Sequence, residues 1–368
     1  MFMPSLQHIA LVKIAVDLHR EPEIRILETE LNKRLYQLPG IVWEDIIRRK
    51  YPTSDCPSNL QDGIVAMMRP ISLEISDWIE SHGAISYSDY LSGLTFFPIG
   101  TINRMETFKV LAKDEKIKIE ERFWMACHYC VSKEISIFWN KLSESDQMRI
   151  CERYSNDNSG KLNVEFVKRW IKWLQGSSRR IPDFLPAFRG QLTPLTLHKY
   201  APEIRDLLIS TLFQDIKQTV STRSFVLPLE VRLRTDLPLS FPYAFLRSCL
   251  FWPFQRFFME SLNVAWDVLS EDDFVFLLHV IICQKILMDW RDFHYINLLR
   301  RVWHESPVRY KGYVQETDMF KVLTEIINDG CPQNSIPKRL LLHHEDVVRN
   351  AEICNTITDE DEPSEEEE

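Results

Sequence analysis

"FWNKLSESD", residues 138–146, and "AWDVLSEDD", residues 265–273, share a Trp, a Leu three residues later, then Ser–Glu and an Asp. In each copy the Ser is a good helix N-cap, and the acids behind it suit the positive end of a helix. The pattern therefore reads as helix, tight turn, helix. Two copies are what a degenerate array of helical pairs would contain, each pair needing neighbours to bury its faces. Convergence on a good helix–turn–helix sequence accounts for the echo equally well.

Composition agrees with a helical fold. The chain has 368 residues and only 10 Gly, about 3 % against roughly 7 % on average. Hairpin turns and phosphate-cradling loops both use Gly, so their scarcity speaks against β-rich and nucleotide-binding folds. The expected class is all-α, with a Pro-rich irregular centre. The formal net charge is −9, but "DEDEPSEEEE" at 359–368 carries eight of the carboxylates, so the body is nearly neutral. That balance does not suit nucleic acid, which calls for a basic face. Arg48–Arg49–Lys50, Arg179–Arg180 and Arg300–Arg301 read as solvated clusters. Eight scattered cysteines, mostly in apolar runs, fit buried thiols in a reducing compartment rather than a disulfide framework. Lys13 and Asp17 interrupt the first apolar stretch, so no signal peptide is expected. "FVFLLHVIIC", 274–283, is too short to cross a bilayer. The expected location is cytoplasmic, with a nuclear one also compatible.

Along the chain, residues 5–19, 23–37 and 41–50 read as three helices, with Pro22 and Pro39 near the starts of the second and third. "YPTSDCPSN", 51–59, is turn-rich and marks a boundary. Helical spacing resumes in 73–83, ended by Gly83, and in 119–142 as one segment ended before Ser143. Residues 165–176 place Phe166, Trp170, Trp173 and Leu174 on one stripe and stop at Gly176. Eight prolines between 182 and 253 predict an irregular connector, with a helix at 203–220 and a short strand at 224–233. The expected division is 1–52, 53–176, 177–255, 256–358 and an acidic tail, 359–368, too charged to fold.

Chemistry-bearing patterns are weak. "SNDNSGKLNVEF", 155–166, resembles an EF-hand loop, but Phe166 stands where the bidentate Glu belongs, so it reads as a turn before a helix. "CHYC", 127–130, is a single CxxC with no second ligand pair nearby, whereas structural zinc needs four ligands. "LTPLTLHKYA", 192–201, is close to an ankyrin turn but has no partner repeat. No GxSxG, P-loop, HExxH or GxGxxG occurs, and His343–His344 is the only adjacent histidine pair. No enzyme, metal or cofactor is therefore expected. Ser364, followed by four Glu, is a context acidophilic kinases favour and is the one modification site expected.

"SLQHIALVKI", 5–14, is nearly uncharged. As a helix it sets Leu6, Ala10 and Ile14 at i, i+4 and i+8, with Ile9 beside them. The result is a narrow apolar seam with a small residue at its centre, suited to a helix-in-groove contact. The stretch resembles the elongin-binding box of the SOCS-box and VHL-box substrate receptors through Ser5, Leu6 and Ile14, with Ala10 in place of the usual Cys. "LPGIVWEDI", 38–46, resembles the cullin box that follows it, through Leu38, Pro39, Val42 and Ile46. The resemblance covers about 50 residues. It implies recruitment of elongin B–elongin C by Leu6, Ile9, Ala10 and Ile14, and of a cullin by Leu38, Pro39, Val42 and Ile46. The rest of the chain would present an unknown protein substrate. A helical scaffold without a ubiquitin role is the alternative.

Overall fold

The computed structural model describes residues 5–51, 56–82, 90–129, 131–157, 162–176 and 242–329. Among the described residues the chain is all-α, and the one β pairing is an isolated antiparallel bridge between Phe96 and Ile102. The predicted helix 203–220, the strand at 224–233, the ankyrin-like turn, the middle of the EF-hand-like loop at 158–161, His343–His344 and the acidic tail with Ser364 lie outside them.

Contacts divide the chain into two compact units. One comprises Met1–Ser76, Pro98–Gly100 and Val231–Glu368, the other Asp77–Phe97 and Thr101–Glu230. The division falls inside a helix, not in the turn-rich stretch at 51–59. The reason is packing across that turn: a Cβ on Gly63 would lie 2.9 Å from Leu11 Cδ1, so the residues after the turn press directly on those before it.

The first unit opens with α1 (Leu6–His19), α2 (Pro22–Glu30), α3 (Gly40–Lys50) and most of α4 (Ser58–His82). The single helix expected over 23–37 is in fact broken. Asn32 takes φ 47°, a left-handed conformation that Asn tolerates and that ends a helix. Leu35–Gln37 then forms a 3₁₀ turn. Helix α4 is much longer than expected and continues through Pro70. A proline inside a helix costs about 3 kcal/mol. Ile64, Val65, Met67, Met68, Ile71, Leu73 and Ile75 are all buried on the same helix, and at about 1.5–3 kcal/mol each their burial prevails.

Residues 242–255, expected to be connector, belong to the core of this unit. Helix α10 (Pro242–Cys249) buries Phe245, Leu246 and Cys249, and Leu250 and Phe254 follow them inside. Helices α11 (Phe258–Ala265), α12 (Glu271–His279), α13 (Tyr295–Glu305), α14 (Val308–Gln315) and α15 (Met319–Asp329) complete it. The apolar run 274–283 enters α12 and passes into a π-helical turn, Val280–Ile286. Inside that turn Lys285 is fully buried, its Nζ over the rings of Trp290 at 3.4 Å and Phe251 at 4.1 Å.

The second unit contains α5 (Arg104–Leu111), α6 (Ile119–His128), α7 (Ser132–Lys141), α8 (Glu144–Ser155) and α9 (Leu162–Leu174). The segment 119–142 is two helices, not one. Tyr129 breaks it, because its ring turns into the core and its hydroxyl is held there by Trp78 and His82. Helix α9 ends before Gly176, which takes φ +74°. Its buried stripe is Val164, Val167, Trp170 and Ile171, while Trp173 and Leu174 are only half-buried. The two echo segments cap alike. Ser143 Oγ accepts the Asp146 N–H at 3.1 Å, and Ser270 Oγ accepts the Asp273 N–H at 3.1 Å. Leu142 and Leu269 are buried in both.

Candidate functional site

Helix α1 is apolar nearly all the way round, and such a helix normally ends up enclosed. Here only one side is. Val12, Ala15, Val16 and His19 recur at helical spacing and are buried with Leu18. At about 100° per residue, Leu6, Ala10 and Ile14 point the opposite way. Leu6 is 86 % exposed, Ala10 is exposed, and Ile9 and Ile14 are half-covered at the edges of the seam.

The helix is fixed at both ends. Ser5 Oγ accepts the His8 N–H at 3.1 Å and caps the first turn. His8 stacks on Trp252, and its Nε2 lies 3.4 Å from the Ile99 carbonyl, which also accepts the Trp252 indole N–H at 2.9 Å. Gly100 takes φ +96°, and a Cβ there would press on Ile71, Trp252 and Val12. At the other end His19 Nε2 bonds to the Met68 carbonyl at 2.9 Å. Burial holds both histidines below their ordinary pKa, against the opposing pull of the Glu28 carboxylate on His19 and of those carbonyl bonds. A fixed helix keeps its open seam in place without further ordering, which favours a partner.

After α1 the chain turns through α2, where buried Glu28 accepts the Leu35 N–H at 2.8 Å and lies 3.8 Å from Arg34. This buried carboxylate sets the approach to residues 38–46. Leu38, expected to meet a cullin, is 0 % exposed and is corrected to a core residue. Its carbonyl accepts a hydrogen bond from Arg69 Nη2 at 2.9 Å. Arg69 itself is buried over Trp43, and burial pulls its pKa down to about 10. Pro39, Val42 and Ile46 are half-buried, and the exposed apolar residue of α3 is Ile41, at 53 %. The sequence signal for Ile41 was slight: it sits on the side opposite Trp43 and Ile47, which are buried.

The second unit holds a compact polar cluster. His82 Nδ1 lies 2.5 Å from the Trp78 carbonyl and its Nε2 lies 2.8 Å from the Tyr129 hydroxyl. The hydrogen-bond pattern assigns Nδ1 as donor and Nε2 as acceptor. The Tyr129 oxygen accepts the Trp78 indole N–H at 3.1 Å. His128 packs beside this ring of bonds, 4.7 Å from His82 between ring centroids. Cys127 is buried, and Cys130 lies outside the described residues.

Among the described residues, no group of three or more His, Cys, Asp and Glu side chains is placed to hold a metal, and no helix is long and apolar enough to cross a membrane. No protein-family model, curated protein or solved structure matches the chain.

Proposed function

We propose that the chain is a non-catalytic adaptor. The seam of Leu6, Ala10 and Ile14, edged by Ile9, takes the groove of elongin C within elongin B–elongin C. The outer surface of α3, with Pro39, Val42 and Ile46, takes a cullin, and the remainder presents a protein for ubiquitination. The observation that carries the reading is Leu6, 86 % exposed on a helix whose opposite side is packed and whose first turn is pinned. An exposed Leu on an ordered helix is the natural anchor of a helix-in-groove contact. The order of α1, α2 and α3 also suits the resemblance. On this reading the protein acts in the cytoplasm, with a nuclear site also compatible.

A second reading, a helical scaffold without a ubiquitin role, draws on Leu38. Its burial removes one of the four side chains expected at the cullin contact.

Co-expression with elongin B and elongin C tests the first reading. The full chain should co-purify with them, and Leu6→Ser should weaken the complex about tenfold or more, the loss of a buried anchor. Pro39→Ala should spare elongin and loosen the cullin. Equal recovery of folded wild type and folded Leu6→Ser would leave the scaffold reading.

A further inference from the structure

The first unit has another open apolar surface, formed by α10, α12 and α14. Tyr243 on α10 meets Phe276 on α12 edge to face, with ring centroids 6.3 Å apart. Phe276 is 57 % exposed. One helical turn before it, Asp272 Oδ1 accepts the hydroxyl of Tyr313 on α14 at 2.5 Å, and Tyr313 is 39 % exposed. The four side chains form a row across three helices, aromatic at both ends and acidic within.

Its charge is not balanced locally. Glu271 faces Arg309 at 3.8 Å. Among the described residues, no Lys, Arg or His forms an ion pair with Asp272, Asp273 or Glu316. The phenol of Tyr313 registers the resulting field: its bond to Asp272, then the charges of Asp272, Glu271 and Glu316, hold its pKa above the ordinary value.

Exposed aromatic rings beside carboxylates that no cation neutralises are complementary to one side chain above others. A guanidinium stacks flat on an aromatic face and donates a planar fork to a carboxylate. Lysine supplies the charge without the plane, and an apolar peptide would leave the negative charge uncompensated. We propose that the Tyr243–Phe276–Asp272–Tyr313 row binds an extended, arginine-bearing segment of a partner protein. Guanidinium groups stack on Phe276 and Tyr313 and bond to Asp272 and Glu316. These residues are separate from the α1 seam, so the proposal does not depend on elongin recruitment.

The test is fluorescence anisotropy of the full chain, without elongin, against a short labelled peptide alternating Arg and Ser. Saturable binding is expected. Phe276→Ser should weaken it about tenfold, and Asp272→Asn should weaken it several-fold. Both positions are exposed, and an unchanged unfolding midpoint checks that each variant is folded. Replacing Arg by Gln in the peptide should abolish binding. Three results overturn the proposal: no saturable binding, equal binding of the Gln peptide, or unchanged affinity in both variants. The last would mean that the peptide is held elsewhere, as by the carboxylates of 359–368.

Discussion

His8 stacks on Trp252 with ring centroids 5.2 Å apart, and both rings point a nitrogen at the carbonyl of Ile99. Three distant stretches of chain therefore meet at the first turn of α1. Helix ends normally fray, and this stacking opposes it. Aromatic pairs of this kind contribute about 0.5–1.5 kcal/mol. Trp252→Leu should accordingly speed hydrogen exchange in the first turns of α1 by about twofold to tenfold. Exchange at the pace of wild type would show that the cap at Ser5 alone holds the helix end.

The two sides of α1 should respond differently to substitution. Leu6→Ser removes a side chain that is already in water, so the stability measured by urea unfolding should change by less than about 0.5 kcal/mol. Leu18 is buried, and Leu18→Ala should cost about 2–5 kcal/mol. A large loss from Leu6→Ser would mean that the seam is covered in solution.

How far the sequence led depends on whether the cause was local. Ser143 and Ser270 cap because an N-cap is decided within four residues, and both positions were readable. The bounds of α1 and the stop near Gly176 were readable for the same reason. The break at Tyr129 was not, because what breaks the helix is a hydroxyl bonded to Trp78 and His82 from another segment. Likewise nothing near Leu38 announces that Arg69 will bond to its carbonyl. At the candidate seam, spacing identified which residues share a face of α1. It did not reveal which face the protein would cover. Phe276 makes the same point in reverse: in an apolar run it reads as core, yet its face of α12 is open.

Acid should weaken the fold through His19. Burial keeps its imidazole neutral in the native state, with a pKa below the ordinary 6.5, whereas the unfolded chain binds the proton near that value. The unfolded state therefore holds more protons once the pH drops below about 6.5, and stability falls from there downward. The slope from one such histidine is at most about 1.4 kcal/mol per pH unit. His19→Gln should flatten the decline in unfolding midpoint between neutral pH and the folded-state pKa. An identical slope in that variant would assign the acid sensitivity to other groups.

The Tyr129 hydroxyl should be worth more than its size suggests. It accepts the Trp78 indole N–H at 3.1 Å and pairs with His82 Nε2 at 2.8 Å, and all three side chains are buried. Tyr129→Phe keeps the ring but leaves an indole donor and an imidazole acceptor without that partner. A buried polar group that loses its hydrogen bond costs about 1–3 kcal/mol. Removing the donor and acceptor together is gentler, since a polar pair replaced by apolar groups is nearly neutral. Tyr129→Phe should thus lower stability by about 2–4 kcal/mol. Adding His82→Phe to it should cost less than that substitution does alone, because the bond the two side chains share is already gone. Thermal and urea unfolding of the two single variants and the double variant measure the coupling. Strict additivity would mean that the two side chains hold the second unit independently, and that the bond between them contributes nothing.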